Sequence, residues 1–166
     1  MTGTRLSRVL VLACILFFLA GCAHNARTLR TDAPSDAQWQ GRLSILVQST
    51  PVQTFTANFD LQGDADNGSL ALSSALGSTL ARLQWTHNTA TLQARGETLQ
   101  FDSLDALVRH ATGTDLPVAS LFAWLGGNAS DAPGWSADLS DVANGRLSAQ
   151  REGPPAPASL KIILDR

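Results

Sequence analysis

The chain has 166 residues, 44% of them apolar and only 16% charged, which suits one globular domain and excludes a disordered chain. Twelve basic residues against 14 acidic ones give a net charge of −2. No basic surplus exists to grip a phosphate backbone, so nucleic acid is excluded as a partner. Both cysteines, Cys14 and Cys22, lie in the first 22 residues, which leaves the remainder without a disulfide, a thiolate metal ligand or a cysteine nucleophile.

The N-terminal stretch sets the compartment. Arg5 and Arg8 precede an uncharged, mostly apolar run from Val9 to Ala20, too short for the roughly 20 residues of a spanning helix and suited to a signal-peptide core. The run ends in Leu19-Ala20-Gly21-Cys22, a bacterial lipobox. Small residues give a peptidase access to the backbone, and the Cys22 thiol is the acceptor for diacylglycerol. Residues 1–21 are therefore expected to be removed and Cys22 to carry the acyl anchor. More than one chain, at about 0.8 kcal/mol per buried methylene, gives stable anchoring. Ala23 rather than Asp follows the lipidated cysteine, which by analogy with lipoprotein sorting directs the chain to the periplasmic face of the outer membrane. Residues 22–38 are polar, contain Pro34 and have no apolar period. They read as a tether of roughly 22 Å average reach.

From Trp39 to the C-terminus, residues 39–166, one domain is expected. Its dominant period is two. Leu43, Ile45 and Val47 alternate with polar residues, interrupted at Leu46; Phe55, Ala57, Phe59 and Leu61 form the next run. Leu70 and Leu72 follow the turn at Asp66-Asn67-Gly68; Ala81, Leu83 and Trp85 form the fourth run; Ala90, Leu92 and Ala94 follow His87-Asn88; Leu99 and Phe101 follow Gly96. Six short runs between turn residues predict an antiparallel meander with one apolar and one wet face. The period then changes. Asp102-Ser103 can cap a helix carrying Leu104, Leu107, Val108 and Ala111 up to Gly113, and Pro117 can start a second with a stripe at Val118, Leu121, Phe122 and Leu125, ended by Gly126-Gly127. Strand signals return at Trp135–Ala137, Gly145–Gln150 and Ser159–Leu164.

A sheet with one apolar face must cover it, and only two short helices are available. A curved sheet wrapped around them as an open barrel would leave an apolar hollow; a fully packed α+β core is the alternative, and the pattern leaves both open. Trp39, Trp85, Trp124 and Trp135 can be core anchors or cavity walls. The loop Ser73–Thr79 carries Leu76, which either folds back onto the core or forms an apolar tip for a membrane.

No catalytic or metal constellation is found. The sequence has no Gly-x-Ser-x-Gly elbow and no His-x-x-x-His. Ser103, His110 and Asp105 make a poor hydrolase triad, since a carboxylate five residues from a histidine is off its helical face. The expectation is a non-enzyme without cofactor or metal.

Several of these features, in this order, resemble the LolB family of outer-membrane lipoprotein insertion factors. They are the lipobox at Cys22; Trp39 with Gly41-Arg42-Leu43-Ser44; Leu76-Gly77-Ser78 followed by a strand to Trp85; Gly113-Thr-Asp-Leu-Pro117-Val; Leu121-Phe-Ala-Trp124-Leu125-Gly126-Gly127; and Trp135. The resemblance implies a mainly β fold, a curved antiparallel sheet forming a half-open β-barrel whose short helices plug an apolar cavity. It implies a monomeric receptor that accepts lipidated client proteins from the periplasmic carrier LolA, binds their acyl chains, and inserts them into the outer-membrane phospholipid. The cavity is then expected to be lined by Leu43, Ile45, Phe55, Phe59, Leu72, Leu83, Trp85, Leu92, Leu121, Phe122 and Trp124, and the membrane-inserting loop to be Leu76 with Gly77. The chain departs from the family in two places. Ala75 stands where a proline often precedes the loop leucine, and the stretch 145–166 is short. A structural outer-membrane scaffold with a packed core is the alternative.

Overall fold

The computed structural model describes residues 37–113, 115–154 and 156–165. The signal segment 1–21, Cys22 and all of the tether but its last two residues lie outside the described residues. Nine strands form: β1 (Gln38–Val47), β2 (Gln53–Gly63), β3 (Gly68–Ser73), β4 (Thr79–Thr86), β5 (Thr89–Ala94), β6 (Glu97–Phe101), β7 (Trp135–Asp138), β8 (Arg146–Arg151) and β9 (Ala158–Leu164). Helices α1 (Leu104–Thr112) and α2 (Val118–Leu125) stand between β6 and β7, and a 3-10 turn at Val142–Asn144, which no sequence signal announced, precedes β8.

All strands join one antiparallel sheet in the order β6-β5-β4-β3-β2-β1-β9-β8-β7. The period-two signal explains its two faces. In β2, Ala57, Phe59 and Leu61 are buried; in β4, Leu83 and Trp85 are buried while Arg82 and Gln84 are exposed. The wet face is polar across strands: Gln40 donates to the Asp60 carboxylate (3.1 Å), and Thr56 donates to the Ser44 hydroxyl (3.2 Å). The buried residues of the sheet and the two helices make one continuous cluster, so the sheet curls around its helices. The outer strands β6 and β7 do not pair with each other among the described residues, and the barrel is left half open.

The C-terminal region adds strands to the sheet beside β1. β9 pairs with β1 from Gly41↔Leu164 to Val47↔Ala158, and β8 and β7 follow on its far side. Gly41 is what lets β9 come so close: a methyl group there would overlap the carbonyl of Ile163.

Both helices are set by their ends. The Ser103 hydroxyl accepts the Ala106 N–H (3.1 Å), and Gly113, at φ 67°, returns its N–H to the Arg109 carbonyl (2.9 Å). That cap occupies Ser103, and the ring of His110 packs against Phe101 with centroids 5.1 Å apart. α2 starts after Pro117 and stops at Gly126, whose N–H reaches the Phe122 carbonyl (3.1 Å).

Candidate functional site: an apolar cavity open at one end

The concave face of the sheet and the two helices do not fill the space between them. They enclose a cavity of about 1080 Å³, at the upper end of the roughly 300–1,000 Å³ common for ligand pockets. The packed-core alternative is therefore not what this chain adopts.

Strands β1 to β6 and β9 supply their inward residues, among them Leu43, Ile45 and Val47 from β1, Phe59 and Leu61 from β2, Leu83 and Trp85 from β4, and Leu160 and Ile162 from β9. Helix α2 lays Val118, Leu121, Phe122 and Leu125 over the hollow; α1 adds Leu104, Val108 and Ala111. The spacing of those positions is one helical stripe, which is why a single face suffices. Leu107, on the same helix, is fully buried and lies in the solid part of the core rather than in the wall.

Of the eleven residues expected in the wall, ten are there: Leu43, Ile45, Phe55, Phe59, Leu72, Leu83, Trp85, Leu92, Leu121 and Phe122. Trp124 is not, and this corrects the expectation. It is 2% exposed, and its indole N–H donates to the Ser130 carbonyl (3.1 Å). Two residues along a helix from Phe122, it points away from the cavity. The same outer face places Ser120 against the loop, its hydroxyl donating to the Asp131 carbonyl (3.0 Å). α2 is thus a lid on one side and a bolt on the other.

The other tryptophans divide similarly. Trp85 is cavity wall; Trp39 packs edge-on against Phe122 at 5.7 Å without lining the cavity. Trp135 donates to the Asp115 carbonyl (3.3 Å) and lies under the Arg151 guanidinium at 5.5 Å. Arg151, buried, reaches the Ala156 and Asp115 carbonyls (2.8 and 3.2 Å), tying the linker between the helices to β8.

Sequence reasoning missed further wall residues. Leu160 and Ile162 alternate visibly in β9, but the run Ile162-Ile163-Leu164 hides which side faces in; pairing of Leu43 with Ile162 and Ile45 with Leu160 decides it. Leu80 carried no signal. The β3–β4 register slips between Leu72↔Ala81 and Ser73↔Thr79, leaving Leu80 without a partner, so Thr79, Leu80 and Ala81 all reach the lining.

The cavity is asymmetric along its axis. The tips of hairpins β1–β2, β3–β4 and β5–β6 lie at one end, and there the lining residues Val52, Phe55, Leu80 and Leu99 are 63%, 41%, 38% and 40% exposed. Leu76 lies on the β3–β4 tip at that same end, 95% exposed and outside the lining. Its loop is short and well bonded. The Ser74 N–H donates to the Ser78 carbonyl and Gly77 returns its N–H to Ser74 (both 2.9 Å), while Asn58 donates to the Ser74 carbonyl (3.2 Å). Gly77 takes φ 83°, which a side chain would resist. The hydrogen bonds centred on Ser74 thus hold the loop on both sides of Ala75.

Among the described residues no helix is long and apolar enough to cross a membrane, and no group of three His, Cys, Asp or Glu side chains could hold a metal ion.

Comparison with known proteins gives a consistent answer. Residues 35–154 match the family model described as outer membrane lipoprotein LolB. Proteins named outer-membrane lipoprotein LolB are similar over most of the chain. The one from Bordetella petrii is 37% identical over 140 residues, 81% of this chain and 69% of its own length. That from Cupriavidus metallidurans is 35% identical over 153 residues, 88% and 74%. That from Pseudoalteromonas translucida is 32% identical over 131 residues, 73% and 63%. The chain thus spans about two-thirds of the length of such relatives. An apolar hollow under a helical lid, inside a nine-stranded half-barrel, and a family match that takes in β1 to β8 and both helices have one reading: this chain belongs to the LolB family of outer-membrane lipoproteins.

Proposed function

We propose that this chain is an outer-membrane receptor for lipidated proteins. It takes them from a soluble periplasmic carrier of the LolA type, holds their acyl chains in the cavity, and releases them into the outer-membrane phospholipid. It acts as a monomer, anchored through acyl chains on Cys22.

One observation carries this reading: the cavity opens at the same end of the barrel where Leu76 stands exposed. A client's three acyl chains of about 16 carbons represent on the order of 30 kcal/mol of apolar transfer at about 0.8 kcal/mol per methylene. Passage through water is closed to them. They must move from one hollow to the next and then to a bilayer, and a shared end for mouth and apolar tip makes the last transfer short. No energy source is required if the receptor cavity binds more tightly than the carrier and less tightly than the membrane. With the tip in lipid, the mouth faces the acyl region it must empty into.

The test mixes the full chain with client-loaded carrier, then adds liposomes. The parent chain is expected to take up the client and pass it on. Leu76→Glu places a charge on a residue that touches no core, so uptake and folding are expected to be unchanged while delivery falls at least tenfold. Equal delivery by this variant removes the loop from the mechanism, and absence of any transfer from the carrier to the parent chain removes the receptor reading.

A further inference from the structure

Most of the cavity wall is apolar; apart from His110 and Thr112 on α1, its polar residues stand at the open end. Gln53 and Thr54 at the start of β2, Thr79 at the start of β4, and Arg95 and Glu97 at the β5–β6 tip are its polar lining there. Among them Arg95 is the one arginine or lysine in the lining. It is exposed, and among the described residues it has no hydrogen bond or ion pair.

Its backbone is also unusual. Ala94 pairs with Glu97, so Arg95-Gly96 is a two-residue hairpin turn, with φ 54° at Arg95 and 83° at Gly96. Positive φ at both positions is the geometry that favours Asn-Gly or Gly-Gly. Arg95 is the only non-glycine residue among the described residues with positive φ. A long cationic side chain there opposes the local preference of the turn, and such conflicts are often kept for a function.

We infer that Arg95 is a binding residue for the polar head of the lipidated cysteine, donating hydrogen bonds to the ester and amide carbonyl oxygens where a client's acyl chains converge. This rests on the receptor reading above. When acyl chains lie in the apolar wall, their common head stands at the mouth, where the polar lining is gathered. A guanidinium presents five donors and no acceptor, which suits a group that is rich in carbonyls and has no net charge. A phosphate headgroup fits less well, because Glu97 on the same rim offsets the charge of Arg95. Gln53, Thr54 and Thr79 add neutral partners around it.

The decisive variant is Arg95→Asn. Asparagine suits the turn, so the two effects are expected to have opposite signs: a melting temperature higher by about 1–2 °C, and affinity for a synthetic triacylated cysteinyl peptide lower by about five- to tenfold, the effect of one exposed charge-assisted hydrogen bond. Arg95→Lys, which keeps a cation but loses the fork, is expected to fall between. Two further probes separate the explanations. A headless apolar fluorophore should bind parent and Arg95→Asn equally, and so should vesicles of phosphatidylethanolamine and phosphatidylglycerol. Unchanged lipopeptide affinity overturns the assignment, as does an equal loss for the headless probe, which would mark a structural effect. A loss confined to vesicle binding also overturns it and points to the phospholipid headgroup. If the parent chain binds neither acylated probe nor fluorophore, the receptor reading itself fails, a result distinct from all of these.

Discussion

The two ends of the half-barrel are built from the same strands and behave differently. At the end of the β2–β3 and β4–β5 tips, Phe122 of the lid packs between Trp39 and Trp85 at 5.7 and 6.3 Å. The Trp85 indole N–H donates to the Asp64 carbonyl (2.9 Å), and Asp64 in turn caps the N–H groups of Asp66 and Asn67 (2.9 and 2.8 Å). That end is a filled aromatic plug with its polar atoms paired. At the other end no tryptophan lines the space, and apolar surface is left in water at Val52, Phe55, Leu80 and Leu76. Packed tryptophan bulk closes one end; without it the other stays open. A ligand therefore has a way in and out at that end, and the exposed apolar surface there is the cost of a site that must dock against something greasy.

The contrast predicts where stability and function separate. The largest effect is expected from Trp85→Ala, which removes the plug, part of the wall and the indole hydrogen bond. Its loss of stability should be about 3–5 kcal/mol, read as the shift in urea midpoint. A loss below about 1 kcal/mol would mean that the closed end does not hold the fold together. Gly68→Ala comes next. A methyl group at Gly68 would overlap the Gln62 carbonyl oxygen and stand 2.5 Å from the Trp85 ring, so the β2–β3 backbone and the ring must shift, at about 1–3 kcal/mol. Indole fluorescence should move with the tryptophan, and an unaltered spectrum with unaltered stability would show the contacts to be slack. The smallest stability change belongs to the open end. Val52→Ser should alter stability by less than about 0.5 kcal/mol and yet weaken binding of an apolar fluorophore about two- to threefold, for the apolar area it withdraws. Weakened folding with unchanged binding would invert the assignment of the two ends.

Much of this fold was legible in the chain. Alternation over Phe55–Leu61 and Ala81–Trp85 gave strands and their inward face, because a two-residue period leaves only one face able to avoid water. Ser103, Gly113, Pro117 and Gly126 marked the helix ends through backbone groups that must be capped or stopped. The stripe Val118, Leu121, Phe122 and Leu125 already separated the lid's inner face from Trp124, and adding Trp124 to the wall went against that periodicity. Leu80 and the β9 residues were not legible, since a register slip and a run of three aliphatics carry no local mark of direction.

By itself the sequence determined the local rules: which segments extend, where helices begin, which side chains seek burial, and that nothing on the chain forms a disulfide beyond Cys22. Tertiary structure alone decided that the buried faces do not meet. Whether a curled sheet and two helices fill their interior depends on curvature, on the pairing of β1 with β9, and on how far a lid bolted through Ser120 and Trp124 stands from the opposite wall. These are distances between residues remote in sequence, and apolar patterning reads the same for a wall around a hollow as for a solid core.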